Sequence, residues 1–296
     1  MIYKRLVYLG TPEAAVPPLR ALVETGFDIA LVVSQPDRKR GRGGAMVASP
    51  VKAAALELGL AVSDEVADVM STGAELGVVV AFGKLIKQDV LDVVPMVNLH
   101  FSLLPRWRGA APVERAILAG DQETGVCLMA LEAGLDTGPV YERVVVPIGP
   151  NEMADELRSR LVELGTEMLV RNLTEGLGTP EPQAGEVNYA SKLDPAELEI
   201  DWNSSLEEIH SLCRIGLAWT SFRGRRLKIC RAQTSAQTPT ETKFAPGEVR
   251  VASGLVLVGT GTDALELVEV QPEGKSRQLA RDWANGARPT SDERLG

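Results

Sequence analysis

The chain has 296 residues, of which 45% are hydrophobic and 24% are charged; this composition is typical of a globular protein, and the length predicts two domains. Lysine and arginine number 31 against 40 aspartates and glutamates, so the formal net charge is −9. That balance argues against a protein that binds nucleic acid or a membrane over most of its surface, because such proteins are basic. Three cysteines without a C-x-x-C spacing argue against a disulfide scaffold, and the presence of only two histidines argues against a zinc site.

The first part of the chain alternates apolar runs with helical patterns. Strands are predicted at residues 6–9, 29–33, 76–82 and 97–99. Pro17 and Pro18 can open a helix that Gly26 ends, and residues 51–60 form a second helical pattern. Apolar runs separated by helices are typical of βαβ units, so we expect a parallel sheet covered on both faces.

The N-terminal segment has no long apolar core and no small-residue cleavage site, so no signal peptide is expected. No run of about 18 apolar residues occurs in the sequence, so no membrane-spanning helix is expected either. The few cysteines suit a reducing compartment, and these features together predict a cytoplasmic protein.

A long helix and a proline-rich stretch follow. Asn151 is a suitable N-cap for the helix, and apolar residues from Leu157 to Met168 recur at helical spacing on one face. Gly176 ends this pattern. Residues 179–185 contain prolines and a glycine without any apolar period, so they are interpreted as a linker-like segment.

Beyond residue 206 the pattern becomes β-rich. One short helix is predicted at residues 206–212. Short strands separated by glycines are predicted at residues 227–230, 247–251, 254–259 and 265–270. We therefore expect a Rossmann-like α/β domain over residues 1–190, a linker over 191–205, and a small β-barrel or sandwich domain over 206–296.

Charge is distributed unevenly along the chain. Residues 206–296 carry a net charge of +2, whereas residues 1–205 carry −11. One basic cluster, Arg38-Lys-Arg-Gly-Arg-Gly-Gly44, lies in the loop after the second predicted strand. Another runs from Arg223 to Arg231 and contains no acidic residue. One such cluster alone favours a solvated surface. Because an acidic protein carries two of them, a solvated surface and a binding site for a polyanion are equally consistent with the sequence.

The sequence lacks the motifs of common nucleotide-binding α/β proteins. The first strand is followed by Gly10-Thr-Pro-Glu13, without the G-x-G-x-x-G pattern that lets pyrophosphate approach the backbone. No Walker motif for a triphosphate occurs either. NAD and ATP chemistry are therefore disfavoured.

Polar residues occupy the fourth predicted strand. Asn98 and His100 are two positions apart, so they face the same way, and they lie near the strand end where α/β proteins bind ligands. An amide donor beside an imidazole can stabilise an oxyanion and transfer a proton, although a lone histidine is more often a core residue. Asp136, between Gly134 and Gly138, reads as a turn residue that would orient the His100 ring if the chain brings the two together.

Two motifs make the sequence recognisable. One is Asn98-Leu-His-Phe-Ser-Leu-Leu-Pro-Arg-Trp-Arg-Gly-Ala-Ala-Pro112, and the other is Gly134-Leu-Asp-Thr-Gly138. Together they resemble the folate-dependent formyltransferases, and among these the members that act on methionyl-tRNA. The resemblance runs nearly the whole length, from Leu9-Gly-Thr-Pro-Glu-Ala-Ala-Val-Pro17 to Trp283-Ala-Asn-Gly286.

The resemblance implies an activity, a second-domain fold and a set of site residues. The activity would move a formyl group from 10-formyltetrahydrofolate to the α-amine of initiator methionyl-tRNA, for translation initiation. The C-terminal domain would be OB-like, and the protein would act as a monomer without a metal. The implied catalytic residues are Asn98, His100 and Asp136. The implied folate-site residues are Ser102, Leu103, Leu104 and Pro105. The implied tRNA contacts are Arg38, Arg40, Arg42, Arg225, Arg226 and Lys228.

Two other functions stay open at this point. A formyltransferase for a small amine, such as an amino-sugar nucleotide or glycinamide ribonucleotide, would carry the same catalytic residues, but the basic loop and the second domain favour tRNA. An RNA-binding module on a degenerate Rossmann-like scaffold would not need them, and the presence of all three residues argues against it.

Overall fold

The computed structural model describes residues 2–40, 44–234, 244–290 and 292–296. The chain forms two compact units. The first comprises Met1–Val113, Glu123–Pro147 and Arg158–Ser191, and the second comprises Glu114–Gln122, Ile148–Leu157 and Lys192–Gly296. Among the described residues, every helix is too short or too polar to span a bilayer.

The first unit is built on a seven-stranded sheet. Its strands and those of two small ribbons are β1 Arg5–Gly10, β2 Asp28–Val33, β3 Arg38–Arg40, β4 Ala45–Val47, β5 Val62–Ser63, β6 Leu76–Val80, β7 Met96–His100, β8 Arg108–Gly109, β9 Glu123–Ala130, β10 Val140–Pro147 and β11 Tyr189–Ala190. The sheet order is β10-β9-β7-β6-β1-β2-β5. β3 pairs with β4 as an antiparallel hairpin, and β8 pairs with β11 in parallel.

In the described residues of this part of the chain, five α-helices lie between the strands. They are α1 Val16–Thr25, α2 Pro50–Glu57, α3 Gln88–Val93, α4 Pro112–Leu118 and α5 Ala154–Glu175. Most of α4 belongs to the second unit. α1 carries proline in its first turn and ends at Gly26, whose φ of +93° suits glycine, as the sequence predicts. Every residue of β6 and β7 is buried, which is the burial expected of central strands covered on both faces.

Two local predictions are wrong. The sheet is not purely parallel, because β9 pairs antiparallel with both β7 and β10 at one edge. A buried antiparallel strand and a buried parallel strand both contain a short apolar run, so the run does not reveal the direction of the strand. α5 begins at Ala154 rather than after Asn151, and the Met153 N–H donates to the Glu156 carboxylate in its first turn.

The second unit is antiparallel and β-rich. Its elements are α6 Leu206–Arg214, β12 Trp219–Phe222, β13 Arg225–Thr234, β14 Val249–Ala252, β15 Leu255–Gly259, β16 Ala264–Pro272, β17 Gln278–Leu279 and α7 Ala280–Ala287. The strand path is β12-β13-β16-β15-β14, with β17 beside β16. Ile200 and Trp202, within the segment predicted as a linker, are buried in its core with Phe222 and Trp283. The predicted fold class, a Rossmann-like α/β domain followed by a small OB-like β domain, is confirmed.

His210 is a buried titratable residue of the second unit. It lies on α6 with 6% of its surface exposed, and its Nε2 has no hydrogen-bond partner among the described residues. Burial lowers the pKa of His210 from 6.5 to about 4, and the charge of Arg214 acts in the same direction. The ring is therefore neutral in the folded protein near neutral pH.

We expect the free energy of unfolding to fall as the pH drops from about 6.5 towards 4, because the unfolded chain then binds a proton at His210 that the folded chain does not. One such site contributes at most about 1.4 kcal/mol per pH unit. Urea unfolding at pH 7 and pH 5, followed by tryptophan fluorescence, measures this loss. His210→Gln should lose less stability than the wild type over this interval, and equal losses would contradict the assignment.

Candidate active site

β7 carries two of the three predicted catalytic side chains. Asn98 and His100 lie two positions apart on this strand, with 7% and 6% of their surfaces exposed. Their common face follows from the period of two in a strand. Asn98 lies opposite Val79 of β6 and Met129 of β9, so the polar pair stands in an otherwise apolar layer. Burial of an amide and an imidazole in such a layer costs free energy unless each is hydrogen-bonded or used by a ligand.

The turn after β7 folds back onto His100. A cis peptide joins Leu104 and Pro105, and Trp107 has a φ of +63°. The carbonyl oxygen of Trp107 lies 2.9 Å from His100 Nε2. Because a carbonyl can only accept a hydrogen bond, Nε2 is the nitrogen that carries a proton.

Asp136 approaches the other nitrogen of the same ring. It lies in the loop between β9 and β10, and its Oδ2 is 3.6 Å from His100 Nδ1. That distance is longer than a direct hydrogen bond but short enough for an ionic contact if the ring is protonated. The same oxygen accepts a 2.8 Å hydrogen bond from the Gly109 N–H, which fixes the carboxylate. The structure therefore brings His100 and Asp136 together, as the sequence-based hypothesis requires.

The predicted folate-site stretch forms the turn beside these residues. Ser102 is fully buried, and its hydroxyl donates to the Arg106 carbonyl at 2.6 Å, so this side chain stabilises the turn. Leu103 is half-buried and packs over Gly125, where an added Cβ would lie 2.5 Å from its Cδ2. Leu104 and Pro105 are buried. Folate contact by this stretch stays a prediction.

The predicted tRNA contacts of the first unit lie on and beside the β3–β4 hairpin. Arg38 is exposed on β3. The backbone of Arg40 belongs to the same strand, but its side chain and all of Arg42 lie outside the described residues. A 2.6 Å ion pair between Lys52 of α2 and Asp37 fixes the start of the hairpin.

The predicted tRNA contacts of the second unit lie on β13. Arg225 and Arg226 are exposed and Lys228 is half-buried. The Arg226 guanidinium lies 4.3 Å from the centre of the Trp219 ring, a cation–π contact that holds it at the surface. In the described ranges no carboxylate side chain forms an ion pair with these three residues. Their positive charge is therefore available to an anionic ligand.

Two neighbouring arginines of the same basic stretch are already paired. Arg223 donates to both carboxylate oxygens of Glu293 at 2.5 and 2.8 Å, and Arg231 donates to Glu156 at 2.8 Å. Their charges are compensated within the second unit. Of the five basic residues in the stretch, Arg225, Arg226 and Lys228 are therefore the candidates for binding an anion.

The sequence does not predict several residues that lie around His100 and Asp136. Gly109 and Trp107 contact Asp136 and His100 through backbone atoms, and backbone contacts leave no side-chain signal in a sequence. Gln183 and Asn188, from the segment read as linker-like and its continuation, hydrogen-bond to the turns that carry these residues. In the described part of the chain, no three His, Cys, Asp or Glu side chains converge as a metal site would require.

Comparison with known proteins shows the family to which this chain belongs. The model described as formyl transferase matches residues 4–173, and the model for the formyl transferase C-terminal domain matches residues 192–288. The chain belongs to the formyl transferase family. The resemblance drawn from the sequence motifs is confirmed, and the chain is a one-carbon group transferase.

Relatives in this family are similar over nearly the whole chain. The methionyl-tRNA formyltransferase of Roseobacter denitrificans is 45% identical in an alignment 301 positions long, which covers 96% of each protein. That of Thermobifida fusca is 42% identical in an alignment 311 positions long, which covers 99% of each protein.

A solved structure supports the fold. HypX from Aquifex aeolicus in complex with tetrahydrofolic acid is similar with a TM-score of 0.67 at 16% identity. The match covers 96% of this chain but 47% of HypX, so the chain spans about half the length of that protein. At this identity the likeness concerns the fold alone.

Proposed function

We propose that this protein transfers the formyl group of 10-formyltetrahydrofolate to the α-amine of initiator methionyl-tRNA, as a cytoplasmic monomer. The approach of Asp136 to His100, on the strand that also carries Asn98, carries the proposal. Support comes from relatives at 42% and 45% identity, named methionyl-tRNA formyltransferase, that match the chain nearly end to end.

The chemistry uses these three side chains without a covalent intermediate. The amine attacks the formyl carbon and gives a tetrahedral oxyanion, and the bond from that carbon to folate N10 then breaks. The amine loses a proton and N10 gains one, so the reaction is balanced. Asn98 would donate a hydrogen bond to the oxyanion, and a protonated His100 would place positive charge beside it. Asp136 would compensate that charge and help to pass the amine proton through water.

Each substrate has its own proposed surface. Residues Ser102, Leu103, Leu104 and Pro105, in the turn beside His100, would line the folate site. Arg38, Arg40 and Arg42 of the hairpin region, and Arg225, Arg226 and Lys228 of β13, would bind tRNA phosphates.

A direct assay tests the function. Labelled 10-formyltetrahydrofolate is incubated with the protein and either methionyl initiator tRNA or a small amine, such as an amino-sugar nucleotide or glycinamide ribonucleotide. We expect label on the tRNA-linked methionine and none on the small amines. Label on a small amine alone would instead support the alternative formyltransferase.

A variant of the basic loop tests the tRNA contact of the first unit. Arg42→Leu should lower kcat/KM for initiator tRNA by tenfold or more, because hydrogen bonds to charged groups contribute roughly 1.5–3 kcal/mol. Binding of 10-formyltetrahydrofolate, measured by calorimetry, should stay within twofold of the wild type. Arg20→Leu is the control, since Arg20 is a half-buried arginine of α1 paired with Glu57. Equal kinetics for both variants would remove the loop from the tRNA interface.

A further inference from the structure

The segment 181–190 is an ordered part of the first unit rather than a free connection. The backbones of Glu181 and Val140 exchange two hydrogen bonds of 2.8 Å, which attach the segment to β10. Further along, β11 pairs with β8, the short strand that contains Gly109. Neither family model covers residues 174–191, so this segment lies between the two matched regions.

Gln183 holds the turn that carries Asp136. Its side-chain amide donates 2.8 Å hydrogen bonds to the carbonyl oxygens of Asp136 and Gly138. Its Oε1 accepts from the Arg108 guanidinium at 2.7 and 3.1 Å. Because two carbonyls need donors and a guanidinium needs an acceptor, these partners fix the orientation of the Gln183 amide.

Asn188 holds the turn that faces the other side of His100. Its Oδ1 accepts a 2.6 Å hydrogen bond from the Trp107 N–H, and its carbonyl accepts from the Arg108 N–H at 3.0 Å. The Trp107 carbonyl is the acceptor for His100 Nε2. Asn188 therefore acts on the imidazole through one intervening residue.

Both supported turns contain a strained residue. Trp107 and Asp136 have φ values of +63° and +51°, in the left-handed region that residues other than glycine adopt less readily. Such conformations persist only when surrounding contacts hold them. The Gln183 and Asn188 hydrogen bonds are contacts of this kind.

We propose that Gln183 and Asn188 are positioning residues of the formyl-transfer site: Gln183 fixes the Asp136 turn, and Asn188 fixes the Trp107 carbonyl against His100. This proposal rests on the proposed function. The two residues touch no reacting atom in the proposed chemistry. They set the distance and direction of the carboxylate and the carbonyl on either side of the ring, and small errors in such distances lower catalytic rates strongly.

Gln183→Glu tests the first half of the proposal. This variant keeps an acceptor for Arg108, and adds an opposite charge to it, but it replaces the amide donor with an oxygen that faces two carbonyls. We expect kcat for formyl transfer to methionyl-tRNA to fall at least tenfold, with KM for both substrates within about threefold. The melting temperature should be little changed because the Arg108 contact remains. A kcat within twofold of the wild type would overturn the role of Gln183.

A conservative pair tests the second half. Asn188→Leu removes the acceptor for the Trp107 N–H and should lower kcat at least tenfold, whereas Asn188→Asp keeps an acceptor and should recover most of that loss. Equal kcat values for the two variants would overturn the role of Asn188. Glu186→Gln, at an exposed position of the same segment, is the control and should match the wild type. An inactive wild type would overturn the proposed function itself, whereas an active wild type with unaffected variants would overturn only the positioning role.

Discussion

His100→Ala should lose two to three orders of magnitude in kcat for formyl transfer, the loss typical when a group that stabilises an oxyanion is removed. The ring is 6% exposed and lies between the Trp107 carbonyl and the Asp136 carboxylate, so alanine would remove the group that contacts both. Asp136→Asn should lose a comparable factor. This second variant is informative because an asparagine oxygen can still accept from the Gly109 N–H, so the backbone contact survives while the charge disappears.

The measurement is single-turnover formyl transfer at saturating tRNA, with folate binding followed separately by calorimetry. Folate affinity should stay within a few-fold in both variants, because the expected loss lies in the transition state. His210→Gln serves as the control, since that histidine lies on α6 in the core of the second unit. Near wild-type turnover in either His100→Ala or Asp136→Asn would exclude that residue from the chemistry.

Gly109→Ala should have the next largest effect. Gly109 has a φ of +121°, and an added Cβ would lie 2.9 Å from the Ala190 carbonyl oxygen of β11. The strand must therefore shift or change conformation, and either change moves the N–H that holds the Asp136 carboxylate. A displacement of about 1 Å can cost roughly 10²-fold in rate, so we expect kcat to fall between tenfold and a hundredfold.

A second glycine separates this displacement from simple backbone strain. Gly73 has a φ of +66°, and an added Cβ there would meet no atom within 4 Å. It precedes β6, whereas His100 closes β7 at the carboxyl end. Gly73→Ala should therefore lower the melting temperature through its left-handed conformation while leaving kcat unchanged. If both alanine variants lowered kcat equally, the loss would reflect general destabilisation rather than movement of Asp136.

The sequence predicts those parts of the site that depend on local periodicity. Asn98 and His100 can be predicted because a strand repeats every two residues and because polar residues are rare in buried strands. Most parallel strands and the first helices were found for the same reason, since their apolar patterns are local. The antiparallel edge was missed because the direction of β9 and β10 is set by which strand they join, and no pattern within either strand encodes that choice.

Polar contacts between residues that are far apart in the sequence cannot be predicted from local patterns. Gln183 contacts Asp136 across 47 residues, and Asn188 contacts Trp107 across 81. Gln183 lies in the stretch 179–185, where prolines and a glycine interrupt any apolar period and predict only a linker-like segment. The basic stretch from Arg223 to Arg231 contains no acidic residue, and the carboxylates that pair with Arg223 and Arg231 lie 70 and 75 residues away in the sequence.

The contact between His100 and the Trp107 carbonyl leaves one ring nitrogen, Nδ1, free to exchange a proton. Nε2 faces an oxygen that can accept a proton but has none to give, and this nitrogen keeps its hydrogen while that contact lasts. Nδ1 is then the nitrogen at which the ring can gain or lose a proton, on the side of Asp136. In the proposed reaction His100 would therefore act as an acid with a single exchanging end, not as a relay that takes a proton at one nitrogen and releases another across the ring. The water proposed to carry the amine proton would accordingly have to reach the carboxylate side of the imidazole.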